Sequence, residues 1–462
     1  MNQQSDNKLL SFIDTCIDFI SKDILLYLYL SILSLLMIGL IYSYQFKYIT
    51  PILFYFTAFV GFYLLFKLLF KKLGDKFDFS RLNFNFSASF YHKSLIIALV
   101  FIVIFMVLHY IAIGYIPIIK SYLSLDYYKI ALMRQKIKEI DSTLIKYISS
   151  FSVKAVIPIL MLVAYIKDKK LFMAYFVICS FYAFSLMQKS YIVGIFVPII
   201  LYVSMSIEIK DFVYSILSFD LSQIKKSTPS FIKKIALIAF FIFIPLACNY
   251  LTVFVANPML RASKEEIEAE MNKNKQDGDK EYLAFVESSL SKDIAVAGTA
   301  LSNRVFFKPG EMVGVWLDKI PSEFPYAKGC GYHFLAPFLG CEYEDYDYSR
   351  KLYDITKKKE ASKGLKGTFT AAHFMYDYAN FGYYGFIIAA FLLALLLNFI
   401  SVFFNNQANW ILPINGLFIL WLSSAAFYST LFSGGWMLSI LLFIFYKNYI
   451  IADKNKLSNN SN

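Results

Sequence analysis

The stretch "SLIIALVFIVIFMVLHYIAI", residues 94–113, runs for twenty positions without a charged side chain. A bilayer's hydrocarbon core is ~30 Å thick and takes about twenty apolar residues to cross as a helix. A barrel strand does not explain such a run, because it alternates apolar and polar residues over about ten positions. Inside lipid each backbone N–H and C=O has to be satisfied within its own segment, so the run is expected to be helical.

Nine similar runs flank it, near 24–45, 49–70, 148–166, 171–187, 191–207, 235–256, 384–404, 410–426 and 436–452. The composition agrees. Of 462 residues, 58% are hydrophobic and 19% aromatic, against about 45–50% apolar in a soluble domain. The expected fold is an all-α polytopic membrane protein with about ten transmembrane helices and one large extracytoplasmic loop. Residues 1–23 mix polar, apolar and charged residues, and no small-residue cleavage pattern follows the first apolar run, which reads as an uncleaved anchor. Only "QKS" at 188–190 separates two of the expected spans, so that pair is also readable as a re-entrant hairpin.

Lysines orient the chain. The loops 71–93, 167–170 ("KDKK") and 208–234 are short and basic, and alternation brings them to one side with both termini. The positive-inside rule makes that side the cytoplasm. The expected organisation is a cytoplasmic 1–23, seven spans over 24–256 with an outer loop at 114–147, a large outer loop 257–383, three spans over 384–452 and a cytoplasmic 453–462. The net charge of +12 then reflects inner-face lysines and not a nucleic-acid partner.

The outer loop 114–147 violates the rule, with six basic residues against three acidic ones. Either an anionic ligand explains them, or the lysines snorkel along an interfacial helix. Four of the five arginines, Arg134, Arg261, Arg304 and Arg350, fall on the same face, and arginine suits bidentate phosphate binding. In the large loop, residues 261–293 read as solvated helix. "GEMVGVWLDKI" at 310–320 has Met312, Val315, Trp316 and Lys319 at helical spacing, suiting an interfacial helix. "FPYAKG" reads as a turn.

Cys330 and Cys341 bracket "GYHFLAPFLG" and pair if the compartment is oxidising and the thiols are not kept reduced. Cys16, Cys179 and Cys248 read as small buried hydrophobes. "CEYEDYDYSR" at 341–350 reads as a solvated acidic loop, with a divalent cation as the alternative. No CxxC, His/Cys cluster, P-loop, GxGxxG or Ser-His-Asp spacing appears, so no metal ligands and no nucleotide-driven chemistry are expected. His92 and His109 sit at span ends and read as interfacial. His373 and Asp377, in "HFMYDYANFGYYGF" (373–386), are one helical turn apart on one face. Such a pair can bind a hydroxyl or take its proton; it can equally cap a helix within an aromatic belt. Gly382 and Gly385 allow close helix approach just below.

Several of these features together resemble the Wzy-type polymerases, which assemble O-antigen, capsule or exopolysaccharide from lipid-linked repeat units. They are the many spans, the late outer loop, its arginines and three local stretches. The stretches are "GTFTAAHFMYDYANFGYYGF" (367–386), "GYIPIIKSYLSLDYYKIALMRQK" (114–136) and "SNRVFFKPGEMVGVW" with "FPYAKGCGYHF" (302–316 and 324–334). One departure is that Arg304 and Gly314 have nine residues between them, where some of these polymerases have ten. The resemblance implies a C-type membrane glycosyltransferase acting on an undecaprenyl-diphosphate-linked oligosaccharide. It implies no nucleotide sugar and no cofactor, with membrane lipids, a chain-length regulator and a flippase as partners. On that reading Arg134, Arg304 and Lys189 stabilise charge on the leaving diphosphate. His373, supported by Asp377, is the base, and Glu311 is the second candidate. The competing readings are an O-antigen ligase, which shares the loop architecture, a flippase for the same lipid-linked oligosaccharide, and a membrane-bound acyltransferase.

Overall fold

A computed structural model describes residues 23–74, 82, 84–124, 127–137, 140, 142–207, 221–256, 303–404 and 407–459. Cys16, Arg81, Arg261 and the charged stretch 261–293 lie outside them. The described residues are helical throughout, with no strand. In chain order the helices of the first half are α1 (Ile24–Tyr42), α2 (Ile49–Gly74), α3 (Ala88–Ile113), α4 (Pro117–Tyr122), α5 (Tyr127–Lys136), α6 (Thr143–Phe151), α7 (Ile157–Lys167), α8 (Lys169–Ser185), α9 (Lys189–Gly194), α10 (Val197–Met205) and α11 (Leu221–Ala256). The second half has α12 (Lys308–Lys319), α13 (Ala336–Leu339), α14 (Tyr348–Thr356), α15 (Lys358–Ser362), α16 (His373–Phe381), α17 (Tyr383–Phe403), α18 (Ala408–Trp421), α19 (Phe427–Leu431) and α20 (Trp436–Asn459).

Among the described residues seven helical stretches are long and apolar enough to cross a membrane: Ile24–Tyr42, Phe46–Lys71, Ala88–Ile113, Thr143–Lys167, Phe231–Thr252, Tyr383–Phe403 and Phe427–Ile451. The chain is an all-α polytopic membrane protein. The other three expected spans are shorter. Helix α8 has 17 residues and stops at a turn where Met187 takes φ 54°. The following segment is broken into α9 and α10, with Pro198 opening the second piece. Helix α18 has 14 residues. At 1.5 Å per residue it rises about 21 Å, short of the ~30 Å core.

The bundle has two chemically different ends. At one, Asp23 pairs with Lys67, His92 Nδ1 lies 3.8 Å from Asp168, and Lys167 sits over Tyr449, 5.1 Å from its ring centre. Asp168 also caps α8, accepting N–H bonds from Lys170 and Leu171 at 2.8 and 3.1 Å. At the other end, residues 303–382 form a lobe. Helix α12 docks on the end of α1 where Gly39 and Gly310 meet. A Cβ on Gly310 would stand 2.2 Å from the Leu36 carbonyl oxygen, and one on Gly39 2.4 Å from that of Phe307. Small residues let the backbones close in this way. The buried face of α12 is Val313, Trp316 and Leu317, turned onto protein. Met312 and Val315 are only half-buried, so α12 packs on the bundle and does not simply float at the interface.

Helix α17 pairs with α2 through aromatic contacts, Phe54–Tyr383 at 5.5 Å and Phe62–Phe391 at 5.5 Å between ring centres. Asn398 on α17 donates to the Tyr63 carbonyl at 3.1 Å. Helix α16 folds back on α17 at Gly382, φ 62°. Gly385 then passes under the Asp377 carbonyl, where a Cβ would be 2.0 Å away.

Candidate functional site

The lobe is built around α16. The turn at 325–330 docks on its C-terminal end: Ala327 and Lys328 donate N–H bonds to the Ala379 and Asn380 carbonyls, both at 2.9 Å. Asn380 Oδ1 accepts from the Gly329 and Gly331 N–H groups at 3.0 Å each. Cys330 and Cys341 form a disulfide that closes this loop. Trp316 donates to the Phe369 carbonyl at 2.9 Å, tying α12 to the approach to α16.

His373 and Asp377 are both buried, but the structure does not join them. The His373 ring turns to the spans. Its Nε2 meets the hydroxyls of Tyr29 on α1 and Tyr55 on α2 at 2.7 and 3.0 Å, and those hydroxyls are 2.7 Å apart. The backbone N–H of His373 donates to the Leu422 carbonyl at 2.8 Å. Burial lowers its pKa to about 3, because a desolvated imidazolium is disfavoured. Asp377 faces the lobe and accepts the Tyr332 hydroxyl. Burial raises its carboxyl to about 7, partly offset by that bond. Tyr332 packs edge-on against Tyr428, 5.4 Å between centres, beside the half-exposed Phe334. The expectation of an outward-facing His373 supported by Asp377 is thus corrected. Residues four apart share a face on an isolated helix, but α16 is enclosed and its two polar groups meet different neighbours.

The other expected site residues are dispersed. Glu311 lies in the first turn of α12 and is ion-paired with Lys308. Arg304 falls in a π-helical turn, Asn303–Phe307, leading into α12. Lys189 opens α9. Arg134 lies in the last turn of α5, half-buried. Its neighbour Gln135 accepts the Lys366 N–H at 2.8 Å, so α5 meets the lobe. Asp347, in the acidic loop, caps α14. His109, expected at the interface, is instead buried between α3 and α8, its Nδ1 2.7 Å from the Tyr182 hydroxyl. Cys179 is buried as expected and Cys248 partly so.

One residue went unmarked in the sequence. Between α6 and α7 the helix widens into a π turn, Ser152–Val156, that carries Lys154. The Lys154 ammonium lies 5.9 Å from the Trp421 ring centre. Trp421 ends α18, and a Cβ on Gly194 of α9 would touch its ring at 3.4 Å. The lysine therefore sits where short helices stop inside the membrane layer. Intramembrane cations and π turns both concentrate at functional sites. The available signal was one lysine within an otherwise apolar window.

No protein-family model, curated protein or solved structure matches the chain.

Proposed function

We propose that the chain is a membrane glycosyltransferase that joins lipid-diphosphate-linked oligosaccharide repeat units into a longer polysaccharide, a polymerase of the Wzy type. The observation that carries this reading is the Gln135–Lys366 contact, by which the Arg134 helix reaches the disulfide-closed lobe at the end of the bundle away from the lysine-rich turns. A lipid diphosphate held there presents concentrated negative charge, which Arg134, Arg304, Lys189 and the intramembrane Lys154 stabilise as the bond to the sugar breaks. A disulfide belongs in an oxidising compartment, which supports the lobe as the outer face and the lysine-rich end, with both termini, as cytoplasmic.

The proton of the attacking sugar hydroxyl has to go to a base. His373 is sealed among the spans with Nε2 engaged by two tyrosines. Asp377, whose carboxyl burial raises to about 7 and which accepts the Tyr332 hydroxyl on the lobe side, suits the role better. The exposed Phe334 and half-buried Tyr428 offer apolar ring faces to sugars. The glycosyl bond energy of the lipid diphosphate drives the reaction, so no nucleotide is required.

An intramembrane lysine also fits a flippase. The deciding experiment incubates the purified chain in vesicles with lipid-linked repeat unit and no nucleotide sugar. New glycosidic bonds with release of lipid diphosphate are expected. Translocation without bond formation would overturn the proposal in favour of transport, and product formed only on an added lipid A core acceptor would make the chain a ligase.

A further inference from the structure

A cavity of about 590 Å³ opens toward lipid between α3 and the α6–α7 span. Its α3 wall is the stripe Lys93, Ile97 and Phe101, at helical spacing, and its other wall is Ile148, Phe151 and Val156. The lining is almost wholly apolar except at the Lys93 end. From Phe90 to Ile102, its outermost lining positions on α3, the helix rises about 18 Å. The α6–α7 wall, Ile148 to Val156, lies toward the lobe-facing half of its span, so the groove runs from the lysine-rich end past the middle of the bundle.

We propose that this groove holds one acyl chain of an anionic phospholipid whose headgroup phosphate rests on Lys93. Three observations select that occupant. The first is the lining itself, which apart from Lys93 and two serines is apolar and suits an alkyl chain. Lys93 is exposed and makes no hydrogen bond or ion pair among the described residues. The charges around it favour an anion: His92, Lys169 and Lys170 lie nearby, and the neighbouring acid, Asp168, is occupied by its capping bonds and by His92. The basic end of the groove lies opposite the lobe, while its far wall includes Ser152 and Val156 of the π turn that carries Lys154; the headgroup assignment to Lys93 does not depend on the polymerase reading.

The test purifies the full chain in neutral detergent, loads it with dioleoyl phosphatidylglycerol or dioleoyl phosphatidylcholine, and counts retained lipid by native mass spectrometry. One lysine near a headgroup gives about a fivefold preference for the anionic lipid. Lys93→Gln is expected to erase that preference while leaving the neutral lipid unchanged. Ala98→Phe, which fills the groove, is expected to lower retention of both. Equal retention of the two lipids by the wild type, or an undiminished preference in Lys93→Gln, would overturn the headgroup assignment. Unchanged retention in a folded Ala98→Phe protein, or a cross-link from Ala98→Cys to a second chain, would overturn the groove as a lipid site. Gel filtration of each variant confirms that it is folded.

Discussion

Asp377→Asn separates the electrostatic reading of α16 from a purely structural one. Asparagine keeps the shape and can still accept the Tyr332 hydroxyl, but it does not ionise. In the folded chain the Asp377 carboxyl is raised from 3.8 to about 7. The stability tied to its protonated form is therefore fully present below pH 3.8 and is lost as the pH rises through 7. Linkage over that window amounts to roughly 4 kcal/mol, of which roughly 3 kcal/mol falls between about pH 5 and about pH 9. The group is 1% exposed, so solvent screening does not reduce the figure. For a chain of this length that energy corresponds to a shift of roughly 3–4 °C. Thermal unfolding of both proteins in the same detergent should show the variant gaining on the wild type by that amount toward alkaline pH. All other titrating groups are common to both and cancel. Polymer synthesis by the variant should fall by about 10²–10⁴ if the carboxylate takes the acceptor's proton. A melting gap that is the same at both pH values would refute the buried, proton-retaining Asp377. Normal polymer from a well-folded variant would refute its role as base.

Three further substitutions test the rest of the site. His373→Gln should leave polymer length unchanged and lower stability by about 1–3 kcal/mol, the cost of disturbing the Tyr29–Tyr55 bonds; loss of polymer without loss of stability would return the base role to the histidine. Lys154→Met should cut bond formation about a hundredfold in a variant that gel filtration shows to be folded; unchanged turnover would remove Lys154 from the site. Gly310→Val should cost about 1–3 kcal/mol from overpacking and expose the lobe to limited proteolysis, because its Cβ would meet the Leu36 carbonyl at 2.2 Å; wild-type protease resistance would argue against the docking of α12 on α1.

The long spans were legible because lipid acts on each segment alone. A run such as 94–113 must satisfy its own backbone whatever surrounds it, so local composition decides it. Hydropathy does not show where a helix stops. The break after Ser185, the gap between Gly194 and Pro198, and the end of α18 at Trp421 all fall inside stretches that average as apolar. Those stops create the ledge where Lys154 meets Trp421, and one lysine among apolar neighbours barely moves an average. The cysteine pair was legible for a different reason: Cys330 and Cys341 are the two cysteines in the long stretch between the expected spans ending at 256 and starting at 384, eleven positions apart. His373 and Asp377 were found, but their relation was misread. The partners of His373 lie 344 and 318 positions away on α1 and α2, and that of Asp377 lies 45 positions back on the lobe. No helical period encodes such contacts. What separates the two groups chemically is which wall each faces. The imidazole is turned into the bundle, where a charge has no water, and the carboxyl is turned to the lobe and the Tyr332 hydroxyl.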